Sequence, residues 1–410
     1  MEQNIFYSRP WILKRYMRGP LSKHLEGFAH FLERLGYSCE TGQRYVREVG
    51  RLSIWLEQQR ICSAGLDEPV IQKYLRFRGK HLRSRLRRGP YTCLNEYLRE
   101  AGLIQPPSCQ SSPLDDYLRA YHDHLLQNQG LAQETVRRHL RVAKTFLERR
   151  VGHDSFHLSQ IRLQDIVQHI LERSQRVHSS IGTETSSLRS FLRFLQFRGD
   201  IPDDLVKSVP RVRHWGHSNL PSFLSSEQVR KLIEQCDRFT PVGKRDMAIV
   251  LLLARLGLRA VEICRLKLED INWREGYITV SGKHGKRSRL PLLDDVGHAI
   301  ADYLRYGRPC CLTRNVFVRS VPPFRPFASS CTVANVVRKA LSRAGLTPLK
   351  RGAHLLRRTF ATQMLKQGAS LAEISQILRH QSVDTTTIYA KIDLGRLRPV
   401  AHQWPGGCPS

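Results

Sequence analysis

Several stretches place apolar residues three and four apart, the spacing of one face of an α-helix. Val229, Leu232 and Ile233 form such a stripe behind Ser225, whose spacing to Gln228 predicts a capping box. Val136, Leu140 and Ala143 form another, with Arg137, Arg138 and Arg141 elsewhere on the helix. The pattern predicts helices over about 20–105 and 113–205, then a mixed α/β block over about 224–395. In that block a helix over 245–256 stops at Gly257, and Arg259 opens the next helix after a tight turn. Strands over 278–280 and 287–292 flank GKHGK, a hairpin holding Lys283 and Lys286. Ser370 and Glu373 predict a second capping box, on a helix ending near Arg379 and His380. A short segment from Asp384 then presents Tyr389.

The chain breaks at two loop-like stretches. QPPSCQSSP (105–113) separates the two helical blocks, and PRVRHWGHSNLPSF (210–223) precedes the mixed block. The helical blocks read as copies of each other. Gly36, Glu40, Thr41, Arg44 and Arg47 recur 94 positions later as Gly130, Glu134, Thr135, Arg138 and Arg141. Tyr97, Leu98, Gly102 and Ile104 match Phe194, Leu195, Gly199 and Ile201 at an offset of 97. Two unrelated bundles with chance identities are the plainer alternative; the order of the matches favours duplication. The expected domains are 1–108, 109–215 and 216–395, with a tail over 396–410.

Composition narrows the function. The 410 residues carry 66 Lys and Arg against 36 Asp and Glu, a formal charge of +30. Such an excess repels itself, and a polyanion relieves it, so nucleic acid leads as partner ahead of an anionic membrane surface. Residues 73–88 hold eight Lys or Arg and no acid, and such a run is most often simply a solvated face. Residues 303–372 contain thirteen Lys or Arg and no Asp or Glu, which suggests a surface kept clear of groups that repel phosphate.

Other classes drop out. The longest apolar run, 247–258, is too short to span a membrane and contains Arg255. The start lacks an apolar signal core, so a cytoplasmic, nucleoid-associated protein is expected. Ten scattered cysteines form no C-x-x-C pair, which argues against a zinc finger and predicts reduced thiols. SGKHGKRS lacks the first glycine of a phosphate loop and has Arg287 where Ser or Thr should follow the Lys, so no nucleotide site is visible.

Taken singly, the remaining features are weak. A His-x-x-Arg pair such as His354 and Arg357 is usually a surface feature of a helix. Hairpin lysines are usually solvated, and a lone Tyr after Thr-Thr-Thr-Ile is usually an amphipathic anchor. The set in its order is different. GLRAVE carries Arg259 and Glu262, and Lys283 follows 24 residues on in GKHGK. HLLRRTFAT carries His354 and Arg357, LRH carries His380, and Tyr389 lies nine residues beyond. In this order the chain resembles the tyrosine recombinase (phage integrase) family, well over 224–393 and more loosely over the second helical block. Two positions depart from the usual pattern: Arg379 stands where Gly is common before His380, and Arg358 where many members carry His.

The resemblance implies a multidomain fold: two all-α N-terminal domains of the SAM-like core-binding type, then a mixed α+β catalytic domain. That last domain should be predominantly helical with a small β-hairpin. It implies a site-specific recombinase, integrase or transposase that cuts and rejoins DNA through a covalent 3′-phosphotyrosine, without metal or other cofactor. The implied catalytic residues are Arg259, Lys283, His354, Arg357, His380 and the nucleophile Tyr389. Arg259 and Arg357 would fork onto phosphate oxygens, since guanidinium gives paired charged hydrogen bonds and keeps its proton. Lys283 would protonate the departing 5′-hydroxyl, His354 would assist proton transfer, and His380 would bond the phosphate. Arg137, Arg138, Arg141, Lys144, Lys286 and Arg287 are expected to touch DNA. Expected partners are a double-stranded recombination site, further copies of the chain in a tetrameric synapse, and partner recombinases where the site requires them. A type IB topoisomerase-like enzyme and an inactive DNA-binding scaffold remain as alternatives; the filled set of six residues argues against the second.

Overall fold

The computed structural model describes residues 18–81, 89–104, 113–150, 158, 161–176, 181–202, 204–210, 222–282, 287–380 and 384–389. The chain divides into two compact units, one of 106–218 and one combining 1–105 with 219–410.

The smaller unit is helical: α5 (Pro113–Asp123), α6 (Gln133–Arg150), α7 (Leu163–Arg176), α8 (Ile181–Phe197) and α9 (Asp204–Lys207). Its core gathers Tyr121, Val136, Ala143, Phe146, Ile166, Leu188 and Phe191. The face of α6 predicted to be apolar is the buried one, while Arg137, Arg138, Arg141 and Lys144 stay exposed.

In the larger unit, α1 (Leu25–Arg34), α2 (Cys39–Gln58), α3 (Glu68–His81) and α4 (Gly89–Glu100) enclose a core of Leu25, Phe28, Leu32, Val49, Leu52 and Leu94. Helix ends in the two helical blocks share a geometry. After α4, the Gly102 N–H bonds the Arg99 carbonyl (3.0 Å) and the Leu103 N–H the Leu98 carbonyl (2.8 Å). After α8, Gly199 bonds Gln196 (2.9 Å) and Asp200 bonds Leu195 (3.0 Å), the same pattern 97 residues on. Both glycines sit at positive φ, 69° and 76°, which this helix stop requires. Arg325 ties the N-terminal helices to the later part of the same unit by forking onto Glu96 at 3.3 and 2.9 Å.

The mixed block begins with α10 (Ser226–Glu234), whose Ser225–Gln228 capping box forms as expected. The next helix, α11 (Pro241–Leu256), starts four residues before the predicted point because Thr240 caps it and Pro241 takes the first turn, where no N–H is needed. Ala248 to Leu253 are all buried, the mark of a central helix. After α12 (Ala260–Arg265) comes an antiparallel sheet in the order β1 (Ile271–Asn272), β2 (Tyr277–Ser281), β3 (Arg287–Pro291). Ser281 pairs with Arg287 across the mouth of the hairpin, and Lys283 and Lys286 of its turn lie outside the described residues. Then follow α13 (Asp294–Tyr306), α14 (Ser330–Arg343), α15 (Ala353–Lys366), α16 (Leu371–Leu378) and α17 (Asp384–Thr387). A satellite core of Ala361, Leu365, Ile374, Leu378 and Tyr389 joins the last of these. The expected tail over 396–410, the 105–112 linker and most of the 210–223 linker lie outside the described residues. No helix among the described residues is long and apolar enough to cross a membrane.

Candidate active site

The site is assembled where helix ends meet. Gly257 ends α11 in the left-handed region at φ 58°, and a Cβ there would lie 2.6 Å from Phe360 and 2.9 Å from Leu378. Only glycine satisfies both the conformation and the close approach. The turn it makes delivers Arg259 to the N-cap of α12. Glu262, one turn on, accepts the Arg259 backbone N–H at 2.8 Å and its Nη1 at 2.8 Å. The Glu262 side chain is 1% exposed. A carboxylate in the first turn suits the helix dipole and also aims the guanidinium.

Arg357 arrives from α15 and is among the largest fully buried side chains, at 2% exposed. It donates Nη1 to the Gly257 carbonyl and Nη2 to the Leu378 carbonyl. Both acceptors lie at helix C-termini, where carbonyls lack partners within the helix and carry partial negative charge. Burial, then the neighbouring Arg259, lowers its pKa to about 9, with Glu262 opposing. It is still a cation at neutral pH.

His354 lies one turn before Arg357 on α15. Desolvation, then Arg358, Arg357, Arg259 and Lys350, pushes its pKa down to about 4. Its side chain is still open to solvent, so the fixed cations are the durable part of that shift. His380 follows α16, whose Ser370–Glu373 capping box is present. Its Nδ1 lies 2.7 Å from the buried Thr386 hydroxyl. Burial, then Arg357, Arg259, His354 and Arg379, holds it near 4 as well. Both rings are neutral at pH 7 and able to accept a proton.

Tyr389 is 4% exposed, and its backbone N–H turns onto the Thr386 carbonyl at 3.0 Å. Burial raises its pKa, while Arg357 and Arg358 pull it down. Arg259, His354, Arg357, His380 and Tyr389 thus come together from four separate segments. Arg287 is exposed at the start of β3. Arg137, Arg138, Arg141 and Lys144 belong to the smaller unit. Sequence reasoning left two contributors without a role. Thr386 holds His380, and no spacing signals that. Arg379 figured only as a departure; its Nη2 donates to Glu262 at 2.8 Å, and its carbonyl accepts Arg259 Nη2 at 2.9 Å. Its signal was a long side chain at a helix stop where glycine is usual. Among the described residues no cluster of His, Cys, Asp or Glu could hold a metal ion.

Comparison with known proteins identifies the family and the fold. The model of the phage integrase family matches residues 222–395. A Sinorhizobium fredii protein named as an integrase/recombinase, y4rA, is 36% identical over 98% of both chains. Tyrosine recombinase XerC of Lactobacillus delbrueckii is 33% identical over 63% of this chain and 87% of its own. Among solved structures, XerH site-specific recombinase bound to a palindromic difH substrate has a TM-score of 0.53 at 19% identity, covering 80% of this chain and 93% of that one. A lambda integrase dimer bound to a COC′ core site has a TM-score of 0.51 at 19% identity, over 67% and 94%. The expected multidomain helical fold is the fold these structures share. Similarity along the whole of a relative, rather than at a few motifs, makes this chain a member of the phage integrase family, the tyrosine recombinases, enzymes that break and rejoin DNA.

Proposed function

We propose that this protein is a site-specific recombinase that cleaves and rejoins DNA strands through a covalent 3′-phosphotyrosyl link at Tyr389. The observation that carries this reading is the buried phenol of Tyr389 in the charge field of Arg357, a guanidinium that also acts on His354 and His380. The Tyr389 oxygen attacks the scissile phosphorus, and the bond from phosphorus to the 5′-oxygen breaks. The phosphate energy is kept in the new ester, so rejoining needs no ATP. Arg259 and Arg357 meet the non-bridging oxygens and supply the positive charge that metal ions supply in other phosphoryl-transfer enzymes.

The phenol proton passes toward His354, and Lys283 gives a proton to the departing 5′-oxygen. A bound phosphodiester brings negative charge beside both histidines and raises their basicity at the moment it is needed. His380 bonds the phosphate while Thr386 fixes its ring. Tyr389 packs against its own chain's Leu378 and Ile374, which supports attack within one subunit. The exposed arginines of α6 with Lys144, and Lys286 with Arg287, grip the DNA backbone. Assembly is as a homo-oligomer on the DNA.

The test uses nicked suicide duplexes drawn from the DNA flanking the protein's own coding sequence. Wild type forms an SDS-stable protein–DNA adduct; Tyr389→Phe binds the duplex and forms none. An adduct from that variant would mean a different nucleophile. Failure of wild type on every bound duplex would overturn the enzyme reading.

A further inference from the structure

Arg379 ends α16 at φ 56° and ψ 47°, a left-handed conformation that strains any residue with a side chain. Among the described residues only Arg60 shares a positive φ without being glycine. The strain is held by bonds on both sides of the residue. The Arg379 carbonyl accepts Arg259 Nη2 at 2.9 Å, and its Nη2 donates to Glu262 Oε2 at 2.8 Å. Glu262 Oε1 in turn takes Arg259 Nη1 at 2.8 Å. The arrangement is enclosed, with the Glu262 and Arg379 side chains 1% and 11% exposed. Each end of the Arg259 fork is therefore held: one amine by Glu262, the other by the Arg379 backbone. Without its side chain Arg379 could still offer the carbonyl, but Glu262 would lose the partner that holds it from the far side.

We propose that Arg379 is a positioning residue for strand cleavage, its guanidinium clamping Glu262 so that Glu262 holds Arg259 toward the scissile phosphate. This rests on Arg259 being a phosphate-binding group, as read above. The Arg379 guanidinium spends its Nη2 on a carboxylate and acts through Arg259. A small shift of a charge-stabilising group is costly to rate, since misplacement by about 1 Å can lose roughly 100-fold.

The experiment measures single-turnover cleavage of a suicide duplex at saturating protein. It compares wild type, Arg379→Gly, Arg379→Lys and Arg259→Ala, with either a phosphate or an uncharged methylphosphonate at the scissile position. Arg379→Gly is expected to remain folded at the assay temperature, because glycine relieves the backbone strain and Glu262 keeps Arg259 as its charged partner, and to bind the duplex with unchanged affinity. Its cleavage of the phosphate duplex should be slower by roughly 10- to 100-fold. That deficit should largely vanish on the methylphosphonate, where Arg259 has no full charge to meet, and Arg259→Ala should behave alike. Arg379→Lys should recover part of the rate by reaching Glu262. A wild-type rate in Arg379→Gly, an equal deficit on both duplexes, or a loss confined to DNA affinity overturns the proposal while the recombinase reading stands. A wild type that forms no adduct sinks both.

Discussion

Among the described residues, Glu262 is the carboxylate set against the guanidiniums of Arg259, Arg379 and, at longer range, Arg357. Replacing it with Gln keeps the shape and removes the charge. Two charged contacts at 2.8 Å are lost from a side chain that is 1% exposed. At an effective dielectric of about 20, each contact corresponds to roughly 6 kcal/mol of Coulomb attraction, most of it offset by the desolvation of both ions. Breaking a buried pair by removing one partner typically costs about 3–5 kcal/mol, because the remaining charges are left uncompensated. For a domain of this size that corresponds to a fall of roughly 6–20 °C in melting temperature. Thermal unfolding of Glu262→Gln, alone and with a non-cleavable duplex, provides the assay. The deficit should shrink when duplex is bound, since phosphates supply the missing negative charge. Duplex affinity should hold or rise while adduct formation falls. A variant that melts within about 1 kcal/mol of wild type and cleaves normally would refute this account of the guanidinium cluster.

Three other outcomes follow from the same structure. His380, with a folded pKa near 4 against an ordinary value of about 6.5, makes a contribution to stability that is complete above pH 6.5 and progressively lost as pH falls toward 4; urea midpoints across that range should show it, and His380→Gln should lessen the fall. Gly257→Ala forces a left-handed alanine into contact with Phe360 and Leu378 and should cost about 2–4 kcal/mol, with the cleavage rate falling as the Arg357 acceptor moves; a neutral effect in denaturant melts would contradict the stated packing. Removing residues 1–105 should weaken duplex binding and flatten its dependence on salt; an unchanged slope in binding titrations would remove those helices from the DNA-gripping surface.

Much of the architecture was legible because it is local. The Ser225 and Ser370 capping boxes, the Gly257 stop and the β2–β3 hairpin each rest on residues a few positions apart. The predicted start of α11 fell four residues late, because the Thr240 cap and Pro241 that open the helix lie ahead of its apolar run; within the helix Arg245 and Asp246 are a buried ion pair at 2.7 Å. Strand β1 was missed because two residues carry no alternation to detect. The candidate site was legible only as an ordered resemblance, since nothing local distinguishes His354 or Tyr389 from ordinary helix and anchor residues. Arg379 was left without a role for a related reason. Its partner Glu262 is 117 residues away, so the sequence offers only an arginine in a glycine's place.

By itself, the amino-acid order determined where helices start and stop, which faces are apolar, and how far basic groups outnumber acidic ones. Those properties come from bonds between near neighbours and from composition, which survive without tertiary contacts. Tertiary structure alone decided that Arg259, His354, Arg357, His380 and Tyr389 come within electrostatic reach of one another, that burial and neighbouring cations lower both histidines, and that Arg379 holds Glu262. Burial and the approach of like charges depend on segments far apart in the chain, and no short-range pattern encodes those distances.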